Sequence, residues 1–178
     1  MEKQSAIEER MKKIRLLVLD VDGVLTDGGI YMGPEGEAMK RFDIKDGLGI
    51  ALWHRAGGMT AILTGRSSKI VENRAKELHI SVVRQGCIDK RTAYEEMKAE
   101  LKLSDEEIAY IGDDIIDLPV MKRAGLPVAV ADAVPEVRAA ARIVAAHKGG
   151  RGAIRETVER ILRAQGRFEE AAALYLSC

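Results

Sequence analysis

Asp20 and Asp22 stand two residues apart where the apolar run Leu16-Leu17-Val18-Leu19 stops, and Gly23 follows at once. On an extended backbone, residues two apart point to one side, so both carboxylates face one spot beyond the end of the run. Two like charges that close repel unless a cation or a proton relieves them, which predicts a divalent metal ion or one carboxyl kept protonated. An aspartate that only caps the next element needs no second acid and no glycine. Thr64, Lys90 and the pair Asp113-Asp114 complement these two acids. A carboxylate nucleophile, a hydroxyl donor, an ammonium group and hard oxygen ligands each answer one demand of phosphoryl transfer. A covalent aspartyl phosphate splits the displacement into two easier steps, and a second acid protonates the leaving alcohol and then activates water.

These groups share one site only if the elements carrying them end on one rim. Apolar, partly β-branched runs at 15–19, 59–64, 80–83, 108–111, 126–130 and 141–144 read as strands. Helical patterns alternate with them. Asp46-Gly47 opens a helix that Gly57-Gly58 stop, a serine at 67–68 caps the next, Asp89-Lys90 begins another, and Ser104 to Glu107 has capping-box spacing. This rhythm predicts an α/β fold, a doubly wound parallel sheet with helices on both faces. In such a sheet the strands' carboxyl ends share one rim, which is where ligands bind. Residues 29–43 read as a β-hairpin around Gly33-Pro34-Glu35-Gly36, too small to be stable alone and so covered by the body of the domain or by another subunit. The segment 147–152 reads as flexible and basic, and an apolar stretch at 171–176 calls for a partner surface.

With 178 residues, the chain suits one domain, since domains typically run about 100–200 residues. Twenty-eight basic and 28 acidic side chains give a formal net charge of zero, without the basic excess that nucleic-acid binding calls for. Cys87 and Cys178 have no ligand spacing, which fits a reducing cytosol. The first ten residues lack the apolar core of a signal peptide, and no run approaches the ~18 apolar residues of a membrane span, so a cytoplasmic protein is expected.

The motifs Asp20-Val21-Asp22-Gly23-Val24-Leu25-Thr26, Thr64-Gly65-Arg66, Lys90 and Gly112-Asp113-Asp114-Ile115-Ile116-Asp117 resemble the four ordered motifs of the haloacid dehalogenase superfamily. Asp46-Gly47, Leu118-Pro119-Val120-Met121, the stretch 128–133 and Gly149-Gly150-Arg151-Gly152-Ala153-Ile154-Arg155-Glu156 extend the resemblance to 3-deoxy-D-manno-octulosonate 8-phosphate (KDO 8-phosphate) phosphatases, over nearly all of 14–167. The resemblance implies Mg²⁺-dependent hydrolysis of a phosphorylated sugar acid through an aspartyl phosphate, in lipopolysaccharide precursor synthesis. By the same token Asp20 is the nucleophile and a metal ligand. Asp22 is the general acid/base and lends its backbone carbonyl to the metal. Thr64 and Lys90 hold phosphoryl oxygens, Asp113 binds Mg²⁺, and Asp114 and Asp117 orient metal-bound water or neighbouring groups, with a surface helix position as the other reading of Asp117. No interval is long enough for a cap domain. The resemblance implies instead a homotetramer in which a neighbour's hairpin and tail cover the site.

A sugar-acid phosphate carries a second anion, and arginine's planar fork suits a carboxylate. Arg66 is the candidate for that end, with Gly65 beside it as a further substrate contact, and by resemblance an arginine there favours the eight-carbon acid over nine-carbon relatives. Lys148 and Arg151, donated by a neighbour, and Asp46, with Lys45 at the pocket floor, complete the expected substrate contacts. A linker capped by a helix is the other reading of 149–152. His54 and His79 read as surface or packing residues. Three other functions remain. The same chemistry on ketodeoxynononate or N-acetylneuraminate 9-phosphate needs only a different pocket. A two-component receiver needs an acid on its third strand, where this chain has Val82-Val83-Arg84. A catalytically silent oligomerisation domain has no need of the retained catalytic residue types.

Overall fold

The computed structural model describes residues 4–176, so Cys178 lies outside the described residues. Helix α1 (Gln4–Lys13) precedes β1 (Leu16–Leu19), and the hairpin β2 (Tyr31–Gly33) and β3 (Gly36–Met39) follows. Then come α2 (Ile44–Arg55), β4 (Met59–Leu63), α3 (Lys69–Glu77), β5 (Val82–Arg84) and α4 (Lys90–Leu101). The last part holds β6 (Ile108–Gly112), α5 (Leu118–Met121), β7 (Leu126–Ala129), α6 (Pro135–Ala140), β8 (Ile143–Val144), α7 (Ala153–Ala164) and α8 (Phe168–Leu176). Every described residue of β1 is buried, because a central parallel strand is covered on both faces.

The sheet has six strands in the order β5-β4-β1-β6-β7-β8, all parallel. Leu19 pairs with Ile62 on one side and Ile111 on the other. The chain therefore leaves β1 for one neighbour and later returns to the opposite side, so the strand order reverses at β1, where α/β sheets open a crevice. Helices α1, α2, α7 and α8 pack together, as do α4, α5 and α6, which gives the two helical layers. No cap domain is present among the described residues. The caps are local: Asp43 accepts from Lys45 N, Ser68 from Val71 N and Asp89 from Arg91 N and Thr92 N, while Ser104 and Glu107 form the capping box.

Two expectations need correction. The strand stops at Leu19, and Asp22 lies in a wide helical turn, Val21–Leu25, so alternation along a strand does not account for its direction. Gly23 makes the turn possible with φ +90, and a Cβ there would stand 2.0 Å from Asp113 Oδ2. The segment 147–152 is not a flexible arm, since Gly149 and Gly150 are buried against the same turn. Gly150 N donates to Val24 O at 2.8 Å, Arg41 Nη1 donates to Gly150 O at 2.9 Å, and a Cβ on Gly149 would stand 1.6 Å from Gly23 O. Beyond it, Ile154, Val158, Ile161 and Leu162 of α7 are fully buried against the rest of the core, so this tail is part of the domain.

Candidate active site

Asp20, Asp22, Thr64, Gly65, Arg66, Lys90, Asp113 and Asp114, with Ile116, line one cleft of about 170 Å³ at the carboxyl ends of β1, β4 and β6. Asp20 follows β1, Thr64 follows β4, Asp113 follows β6, and Lys90 opens α4. Four separate stretches thus reach one point because parallel strands end together.

At the centre Lys90 is almost wholly buried, with Nζ 2.8 Å from Asp20 Oδ1 and 2.7 Å from Asp117 Oδ1. Burial alone would lower its pKa, but Asp20 and Asp117 more than offset this and raise it above the usual lysine value. Burial first, and then Asp117, push the Asp20 carboxyl up to about 6 against the pull of Lys90. Burial, followed by Asp20, Asp117 and Asp114, pushes Asp113 up to about 8. Together these residues concentrate more negative charge than one ammonium group relieves.

Carboxylate oxygens of Asp20, Asp113 and Asp117 lie within 4.8 Å of one another. Asp113 Oδ1 is buried without a hydrogen-bond partner, and Asp20 Oδ1 lacks a well-directed hydrogen bond although Lys90 is close. Hard, crowded, under-satisfied oxygens suit a divalent cation such as Mg²⁺.

Asp117 is no surface helix residue. It is fully buried, and its Oδ1 accepts from Tyr110 Oη at 2.6 Å as well as from Lys90. Its Oδ2 accepts from Asp113 N at 2.9 Å and Asp114 N at 3.3 Å, so it holds both the lysine and the loop that carries Asp113. Asp114 is exposed and caps the turn that follows, accepting from Ile115 N at 2.6 Å. Tyr110 carries no functional signal in the sequence: its ring completes the apolar run of β6, and only the position of its hydroxyl distinguishes it from a core residue.

Arg66 is half-exposed at the cleft, with Nε 3.6 Å from Asp22 Oδ2. Gly65, also expected at the substrate, lines the cleft, whereas Asp46, Lys148 and Arg151 do not. Asp46 is buried and accepts from Gly152 N at 3.1 Å and Arg155 N at 2.9 Å, tying α2 to the start of α7. The structure corrects its assignment, because both carboxylate oxygens are spent on backbone donors. Lys45 is exposed. Lys148 is also exposed, and Arg151 Nη2 lies 3.6 Å from Asp27 Oδ2 of its own chain. His54 Nε2 is 3.0 Å from Thr60 Oγ1, and His147 Nδ1 is 2.9 Å from Glu156 Oε2, both away from the cleft.

A capless parallel sheet with acids, a threonine and a lysine on one rim defines the class of haloacid dehalogenase-like hydrolases, and the sequence model for that family matches residues 73–155. The chain is 49% identical over 166 residues to the 3-deoxy-D-manno-octulosonate 8-phosphate phosphatase of Yersinia pestis, a match covering 93% of this chain and 89% of that one. It is 47% identical over 162 residues to the Escherichia coli K12 enzyme of the same name, covering 91% and 86%. The crystal structure of the Moraxella catarrhalis phosphatase, in complex with magnesium ion, phosphate ion and KDO, superposes with a TM-score of 0.94 at 40% identity and covers 97% of this chain and 99% of that one. The chain belongs to the family of 3-deoxy-D-manno-octulosonate 8-phosphate phosphatases.

Proposed function

We propose that this protein hydrolyses KDO 8-phosphate to KDO and inorganic phosphate, with Mg²⁺ as cofactor. The convergence of Asp20, Thr64, Lys90 and Asp113 on one cleft carries the reading. Kinship with phosphatases named for the same substrate selects it over a nine-carbon acid phosphate. Asp20, Asp113 and the backbone carbonyl of Asp22 would hold Mg²⁺, which when bound screens the phosphate's negative charge.

Thr64 and Lys90 bind the phosphoryl oxygens, and Lys90 keeps the Asp20 carboxylate oriented toward phosphorus. An Asp20 oxygen attacks phosphorus, the ester P–O bond breaks, and its electron pair goes to the sugar oxygen, which takes a proton from Asp22. Asp22, now ionised, takes a proton from water as that water attacks phosphorus. The P–O bond to Asp20 breaks, phosphate leaves and both acids return to their starting forms. Asp117 holds Lys90 in place through these steps. Arg66 takes the sugar-acid carboxylate in a two-point ion pair.

The working assembly is a cytoplasmic homotetramer in which a neighbour's hairpin and C-terminal region cover the cleft. Ile30, Tyr31, Met32 and Met39 on or beside the hairpin, and Leu174, Tyr175 and Leu176 on α8, are exposed in the single chain, as apolar surface awaiting a partner is. The exposed side chains of Lys148 and Arg151 are available to such a neighbour. No described helix is long and apolar enough to cross a membrane.

The test is phosphate release from a panel of phosphosugars with Mg²⁺, with a chelator, and after Mg²⁺ is restored. KDO 8-phosphate should turn over fastest, and the chelator should abolish release reversibly. Preference for a nine-carbon 9-phosphate would overturn the substrate assignment, and hydrolysis indifferent to the chelator would overturn the cofactor.

A further inference from the structure

Lys40 and Glu37, under the hairpin, take no part in the chemistry assigned above. The side chain of Lys40, just beyond β3, is 0% exposed although the hairpin lies at the surface. Its Nζ donates to Asp22 Oδ1 and lies 2.8 Å from Glu37 Oε1. Glu37 Oε2 accepts a hydrogen bond from Ser68 Oγ at the start of α3. Arg66 approaches the same pair, with Nε 3.6 Å from Asp22 Oδ2 and Nη2 3.8 Å from Glu37 Oε1.

Lysine ordinarily lets its ammonium reach water while its stem covers apolar surface. Withdrawing it wholly from water is costly unless carboxylates compensate, and attaching a hairpin requires only apolar contact. The arrangement therefore calls for a reason beyond adhesion, and the chemistry supplies one. Lys40 occupies one oxygen of Asp22 and leaves the other near Arg66, and both Asp22 and Arg66 line the cleft. We propose that Lys40 is a positioning residue for the phosphatase reaction: it clamps Asp22 Oδ1 so that Oδ2 faces the leaving-group oxygen, and it makes seating of the hairpin a condition of that orientation. The proposal rests on the reading of Asp22 as the general acid/base. Glu37 is the second anchor, joining Lys40 to the α3 side of the cleft through Ser68.

The test exploits the leaving group. A sugar alkoxide needs the proton of Asp22 to depart, whereas p-nitrophenolate departs without it. Because kcat/KM reports on steps up to the first irreversible one, comparing the sugar phosphate with p-nitrophenyl phosphate isolates the acid step. Lys40→Met should lower kcat/KM on the sugar phosphate by about ten-fold or more and on the aryl phosphate by less than about three-fold, part of the 10²–10⁴ that general acids supply. Lys40→Arg should recover part of the selective loss. Equal losses on both substrates, or none, would overturn the proposal, since a merely structural role does not distinguish leaving groups. Asp22→Asn serves as the control. If it spares the sugar phosphate, the assignment of Asp22 falls and takes the proposal with it. If it is selective while Lys40→Met is not, only Lys40 is excluded. Should circular dichroism show that Lys40→Met fails to fold, Glu37→Gln is read in the same comparison and should show a smaller loss of the same selectivity, the absence of which counts against the clamp.

Discussion

The carboxyl rim of the sheet and the hairpin beside it are built on opposite terms. On the rim, Asp20, Lys90, Asp113 and Asp117 are mostly buried and crowd together within a single chain, Lys90 bridging Asp20 and Asp117 while Asp113 keeps an unpartnered oxygen. On the hairpin the charges Lys40 and Glu37 face inward while Tyr31, Met32 and Met39 face water, the reverse of the usual arrangement. In the proposed assembly the difference separates two tasks. Holding a nucleophile and a cation demands pre-organised polar groups on rigid strand ends, whereas covering a capless site demands apolar surface that another body can meet.

The largest expected effect comes from breaking the rim. Asp20→Asn should reduce turnover by about 10⁴-fold or more, as removal of a nucleophile does, with the fold unchanged. Above the value of about 6 to which burial and Asp117 push this carboxyl, the neutral amide should also raise the thermal midpoint, because it removes an unfavourable buried charge. Turnover near that of the parent protein, measured by phosphate release, would exclude Asp20 as the nucleophile.

A smaller effect is expected from the hairpin. Tyr31→Ser together with Met32→Ser should leave the monomer folded, weaken self-association and lower kcat/KM by about ten-fold, the equivalent of roughly 1.4 kcal/mol of lost interface contact. Sedimentation velocity alongside kinetics reads both, and self-association and kinetics both unchanged would show that the hairpin covers nothing.

The smallest effect belongs to the tail that braces the rim. Burial pushes the Glu156 carboxyl up, but hydrogen bonds from the His147 ring and from Ala146 N and His147 N outweigh it and hold the pKa below the usual glutamate value. A depressed folded-state value means stability that is present above the unfolded pKa and lost as pH falls through the folded one. Glu156→Gln should therefore cost about 1–2 kcal/mol near neutral pH in urea denaturation, with the gap narrowing on acidification. A gap that stays constant with pH would remove the carboxylate's charge from the account.

Much of the rim was legible because its cues are local. An apolar run ending in acids or a threonine marks a strand end, and parallel strands deliver such ends to one place, so Asp20, Thr64 and Asp113 were found together with Lys90. Asp117 was less legible, since one turn of helix places an aspartate equally well in water or in the core. Only the arrival of Lys90, 27 residues earlier, and of Tyr110 explains its burial. Lys40 gave no sign, because its partner Asp22 lies 18 residues back and the hairpin pattern leaves open which face turns toward it. Gly149 and Gly150 are ambiguous in sequence for a related reason: glycine serves a loose linker and a close backbone approach alike, and the backbone approached here belongs to Gly23 and Thr26.

The order of strands and helices, and the chemical groups set at the strand ends, follow from periodicity and short-range capping, which depend on neighbours in the chain. Which charges lie in water and which are shut away follows from the packing of distant segments. A carboxylate or an ammonium can be buried only when counter-charges and donors from elsewhere in the fold meet it there. Lys40, Asp46 and Asp117 acquire their roles from such meetings.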